Sequence, residues 1–182
     1  MDAAQVLRFW FDRDRKDWFE KNPAFDAEIR ERFLGLYEQA AQGKLAHWQD
    51  DARGCVALVI LLDQFPRNMF RGEARAFSAD DLARQAARTL LARGWDLELS
   101  PSERMFAYLP FEHSESLADQ LRCCELMQAL TAFPETQDIH GWAVKHRDII
   151  QRFGRFPHRN AALERASTPE EIEFLKQPGS SF

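Results

Sequence analysis

The chain has 182 residues, of which 29 are acidic and 24 basic for a formal net charge of -5, and that balance excludes generic nucleic-acid binding through a basic surface. Hydrophobic residues at 45% and charged residues at 29% exclude intrinsic disorder, and a mean hydropathy of -0.48 excludes a membrane bundle. A chain of this size hides roughly 70% of its surface on folding, enough for a core without disulfides or metal. The expectation is a single all-helical domain over 1–182 with a tail that frays at 178–182.

Three cysteines, Cys55, Cys123 and Cys124, form no even framework, and neighbours on a helix such as Cys123 and Cys124 are not expected to face the same core, so they read as reduced thiols. The start of the chain lacks a basic leader before Val6, Leu7, Phe9, Trp10 and Phe11, which points to a cytoplasmic protein. Cys55–Leu62 is the longest apolar run and is far short of the ~20 residues that span a bilayer. It reads as a buried core segment.

Helix punctuation recurs along the chain. Asn22 and Pro23 cap and open a helix whose Phe25, Ile29, Phe33, Leu36, Tyr37 and Ala40 share one face, and Gly43 closes it. Asp50 or Asp51 can cap Cys55–Leu62; its Val and Ile content also suits a buried strand, but no partner strand is visible, and the reading is helix. Ser78 with Asp81 opens a third helix through Leu90 and Leu91 that stops at Gly94. Ser100, Pro101 and Glu103 form a capping box for a short helix that Pro110 closes.

Ser114 or Ser116 caps the next helix, with Leu117, Leu121, Cys124, Met127 and Leu130 as its stripe. Asp138 opens another, in which Ile139, Trp142, Ala143, His146, Ile149, Ile150 and Phe153 share a face before Gly154. Thr168, Pro169 and Glu171 repeat the capping box ahead of Ile172 and Leu175. Helices joined by short loops, with no hairpin signal, define an all-α fold of antiparallel helix hairpins.

Three corners carry polar side chains after an apolar residue and proline: Phe65-Pro66-Arg67-Asn68, Leu109-Pro110-Phe111-Glu112-His113 and Phe156-Pro157-His158-Arg159-Asn160. Proline drives the preceding residue out of the helical region, so each should be a point where the chain leaves a helix. In an alternating layout the three would gather at one rim.

The blocks Asp63 to Gly72, Leu109 to Glu115, and His146 with Phe153 to Asn160 resemble the signature segments of the bacterial DUF924 family. The resemblance implies a TPR-like, right-handed helical array and supplies no activity, cofactor or catalytic residue. The family pattern continues with Leu-Gly-Arg, where this chain has Leu163, Glu164 and Arg165.

Two functional readings follow. In the first, Arg67, Asn68, Arg71, His158, Arg159 and Asn160, with Arg155 and His113, form an Arg/Asn/His rim of a binding module, because guanidinium forks and amides recognise carboxylate and phosphate. Its partner would be an anionic small molecule or an acidic peptide, with no nucleic acid and no membrane. In the second, the protein is a small hydrolase or lyase in which His113, oriented by Glu112, acts as general acid or base. A purely structural reading competes with both: arginines near helix ends pair with orphan carbonyls and with Asp63 or Glu112.

His146, on an apolar stripe, reads as a core histidine bonded to a carbonyl or carboxylate. The five tryptophans read as packing. No spacing matches a metal site, a phosphate loop or a nucleophile elbow, so neither metal nor cofactor is expected.

Overall fold

The computed structural model describes residues 1–181 as an all-α protein, with ten α-helices, short 3-10 segments and no strand among the described residues. The contacts divide into two compact units. The first comprises Met1–Arg71 and Arg75–Pro110, and the second Gly72–Ala74 and the chain from Phe111 onward.

In the first unit, α1 (Ala3–Phe11) starts from a capping box between Asp2 and Gln5, and α2 (Arg15–Phe19) follows it. Then α3 (Pro23–Ala41) begins at the Asn22 cap and buries Phe25, Ile29, Phe33, Leu36, Tyr37 and Ala40, the face read from the sequence. The apolar run is helical. It forms α4 (Ala52–Val59) and continues through a wide π turn, Ile60–Gln64, into α5 (Phe65–Met69). Aromatic rings fill the spaces between these elements: Phe33 lies 4.7 Å from both Phe9 and Phe65, and Trp10 meets Phe106 edge-on at 5.4 Å. The unit is completed by α6 (Asp80–Ala92) and by α7 (Pro101–Glu112) as far as Pro110.

Two expected corners lie within helix. A proline inside a helix lacks the N–H that would reach back one turn, and its ring presses on the carbonyl there. Ahead of Pro66 the π turn opens the spiral, the Phe65 N–H bonds to the Ile60 carbonyl, and the chain passes through proline into α5. Pro110 likewise sits inside α7, which runs on to Glu112. Only at Pro157 does the chain leave helix as expected, with Phe156 extended at φ -89° and ψ 106°. Ser78 is a further correction: α6 begins at Asp80 without a side-chain cap, and the Ser78 hydroxyl instead donates to the Arg75 carbonyl.

The second unit holds α8 (Leu117–Leu130), α9 (Ile139–Phe153) and α10 (Pro169–Leu175). α8 and α9 pack together, and Thr136 ties their connection by donating to the Leu130 carbonyl at 2.8 Å. The buried face of α8 is rotated from the expected stripe: Leu117 and Leu121 are exposed, whereas Gln120, Cys123, Cys124, Met127 and Leu130 are buried. The cause is polar. The Gln120 amide donates to the Phe111, Glu112 and Ser114 carbonyls around the end of α7, and this turns Gln120 and Cys123 inward. Cys123 and Cys124 are therefore both buried, against expectation.

On α9, Trp142 faces solvent under the Lys145 ammonium, 4.1 Å from its ring. Ile149, Ile150 and Phe156 form a core joined by Phe153 and Phe174. In the tail, Ser180 is buried and donates to the Leu175 carbonyl, and Phe182 lies outside the described residues. No described helix is long and apolar enough to cross a membrane.

Candidate functional site

The predicted ligand residues fall in both units, and in the first they are engaged by carboxylates of that unit. Arg67 forms a fork on Asp80, with Nη1 and Nη2 donating at 2.9 and 3.0 Å, and Nη1 also reaches the Asp63 carbonyl at 2.8 Å and its carboxylate at 3.1 Å. Asp63, which is wholly buried, lies in the π turn, four residues and one helical turn ahead of Arg67. Burial works against the guanidinium's charge, but Asp63 and Asp80 outweigh it and raise the Arg67 pKa. Asn68 and Arg71 both donate to Asp26, Asn68 at 2.8 Å and Arg71 at 2.6 and 2.9 Å. A cleft of about 570 Å³ lies elsewhere in this unit, between Arg32, Gln39, His47 and Trp48, and contains none of the predicted residues.

In the second unit, Arg155 forks onto Glu171 at 2.7 and 2.8 Å. The Asn160 amide donates to Ser167 and to the same carboxylate. Arg155, followed by the Thr168 backbone and Asn160, draws the Glu171 carboxyl down to about 2. Arg165, not singled out from the sequence, forks onto Glu115 at 2.7 and 3.0 Å and also donates to the Phe156 carbonyl. Glu115 in turn accepts the Phe156 N–H at 2.8 Å, so these residues fix the exit from α9. The turn that delivers Arg165 contains Glu164 at φ 54°, the single non-glycine residue with positive φ among the described residues. The chain thus makes a left-handed turn at a residue that carries a side chain.

The remaining candidates gather around Phe156, which is fully buried. The His146 ring meets Phe156 edge-on at 5.7 Å, the His158 ring lies 5.6 Å away, and the Arg159 guanidinium sits 4.5 Å above its face. His113 joins them with its ring 6.4 Å from that of His146, and its carbonyl accepts from Arg159 Nη2 at 2.9 Å. His113 and His158 are half-buried, while His146, Arg159 and Glu112 are buried.

Glu112 was expected to orient His113; the imidazole placed 3.3 Å from its Oε1 is that of His146, and Cys123 Sγ lies 3.9 Å from its other oxygen. His146 Nδ1 is also 2.9 Å from the Trp142 carbonyl. A carbonyl only accepts, so Nδ1 carries the proton and Nε2 the lone pair. The bond to the Trp142 carbonyl by itself favours a charged ring. Burial, with His113, His158 and Arg159 nearby, prevails and pushes the His146 pKa down to about 3. The core reading of His146 thus holds, and the same residue belongs to the polar cluster. Its place there could be suspected from the sequence only through the block it shares with Phe153 to Asn160.

Helices and cluster together define an all-α protein with imidazoles and a guanidinium assembled around one buried ring. The chain belongs to the DUF924 family, described as bacterial proteins of unknown function, whose model matches residues 6–179. It is similar to a solved structure of a protein of unknown function from Agrobacterium tumefaciens, at 44% identity over 96% of each chain with a TM-score of 0.89. No curated protein matches.

Proposed function

We propose that this protein is a binding module for a small anion, held in the second unit by His113, His158 and Arg159 with His146 behind them. The observation that carries this reading is the gathering of two imidazoles and a guanidinium around Phe156, with the His113 ring beside that of His146. Partly desolvated N–H donors recognise carboxylate, sulfate or phosphate better than the same groups do in water. His113, His158 and Arg159 each oppose a charge on His146, the behaviour that favours a neighbouring anion. Arg67, Asn68, Arg71 and Asn160 serve the internal locks described above, so the reading does not rest on them. Half-buried His113 and His158 give an anion access, and the cluster's small extent suits a small molecule better than an acidic peptide.

Thermal unfolding with sulfate, compared with sodium chloride at matched ionic strength, tests the proposal. Sulfate should raise the melting temperature, by an amount equivalent to about 2.7 kcal/mol at a hundred times Kd. His158→Ala and Arg159→Gln should each weaken the effect by about tenfold or more. Equal shifts in the parent and both variants would refute the site. The Glu112–His146 contact favours a second reading, a small hydrolase or lyase in which this pair and His113 exchange protons with a bound anion. Turnover of p-nitrophenyl phosphate or acetate that disappears in His146→Gln would support it.

A further inference from the structure

Resting on the anion site proposed above, we infer that an anion entering this cluster brings a proton with it, taken up at His146 Nε2. The tautomer fixes the atom: Nδ1 already donates to the Trp142 carbonyl, so the only basic position on the ring is Nε2. Titratable and charged groups lie about the ring on several elements. Glu112 faces it from the end of α7 and is itself approached by Cys123 of α8. His113 lies on the segment that follows α7, and His158 and Arg159 lie on the 3-10 turn after α9.

Without an anion, burial and the positive groups keep the ring neutral. An anion on His113, His158 and Arg159 cancels the repulsion those groups exert. The imidazolium would then stand between the Glu112 carboxylate and the bound anion, opposite charge on both sides. Binding and protonation favour one another, because two events that stabilise the same state are thermodynamically linked. The donor set predicts a pH-dependent affinity rather than a fixed one, with the anion held more tightly as pH falls.

Sulfate separates the two proposals, since it has no titrating proton near neutral pH. Titration calorimetry at pH 5 in buffers of different ionisation enthalpy should show net proton uptake on sulfate binding. The affinity should rise on acidification, by up to about tenfold per pH unit, the limiting slope of one linked proton. His113→Gln and His158→Gln should bind more weakly but keep the uptake, whereas His146→Gln should lose it. Nitrogen NMR of the imidazoles gives a second reading in the parent protein, where sulfate should move His146 Nε2 from the lone-pair to the protonated range. Sulfate bound without proton uptake, or uptake that persists in His146→Gln, would overturn this inference and leave the anion site standing. No sulfate binding by the parent protein would overturn the site, and the inference with it.

Discussion

At Arg67 one side chain holds three acceptor groups, the carbonyl and carboxylate of Asp63 one turn back and the carboxylate of Asp80. Asp63 is wholly buried, so removing the guanidinium leaves an uncompensated charge in the core. Arg67→Ala should cost about 3–5 kcal/mol in urea unfolding, and Arg67→Lys should recover part of it by restoring charge without the fork. A loss below about 1 kcal/mol would show that Asp63 and Asp80 are satisfied without it. Glu164 makes the opposite case. A side chain at φ 54° crowds the backbone where glycine does not. Glu164→Gly should therefore stabilise the protein by up to about 1–2 kcal/mol, reduced by the greater freedom glycine gives the unfolded chain. An unchanged or lower denaturation midpoint would mean that Glu164 contributes through its side chain.

At the scale of elements, caps were legible because they are local. Asn22 before Pro23, and Thr168 with Glu171, form the hydrogen bonds their spacing calls for. The start of α4 adds a constraint from outside the element. Asp51 caps it by accepting the Gly54 N–H at 2.9 Å, and a Cβ on Gly54 would run into the Trp48 carbonyl. Backbone cannot rotate away as a side chain can. Gly54→Ala should therefore destabilise by about 1–3 kcal/mol, the usual cost of overpacking, although alanine favours an isolated helix. A neutral result in chemical denaturation would show that the 3-10 segment Ala46–Asp50 yields easily. The face of α8 was misread for a related reason. Periodicity ranks leucine above glutamine for burial, but carbonyls around the end of α7 claim the Gln120 amide.

For the whole molecule, the buried groups predict acid sensitivity. His146 titrates near its ordinary value of about 6.5 when unfolded and at about 3 when folded. Between those values the unfolded state binds more protons, so this contribution is full above about pH 6.5 and is lost as pH falls toward 3, by up to about 1.4 kcal/mol per unit. Glu171, drawn down by Arg155, acts in the same direction at lower pH: its share is present above the usual carboxylate range and fades as pH falls toward about 2. Stability measured by urea unfolding should decline from pH 6.5 to 4.5, and His146→Gln should flatten that decline. A parent curve without slope in this window would mean that the folded state accepts the proton at little cost.

The sequence by itself determined the all-helical class, most helix ends and the buried faces of α3 and α9 apart from Trp142, because capping and the 3.6-residue period act within a few residues of the chain. It also marked the blocks from which the polar clusters are built. Which partner each polar residue takes was decided only in the tertiary structure: Glu112 meets His146, and Arg165 meets Glu115 fifty positions away. Proline argued for corners at Pro66 and Pro110, but a π turn and a helix end absorbed it. Charge pairing and carbonyl capping have no period, since a guanidinium or amide goes to whichever buried acceptor the packing leaves open.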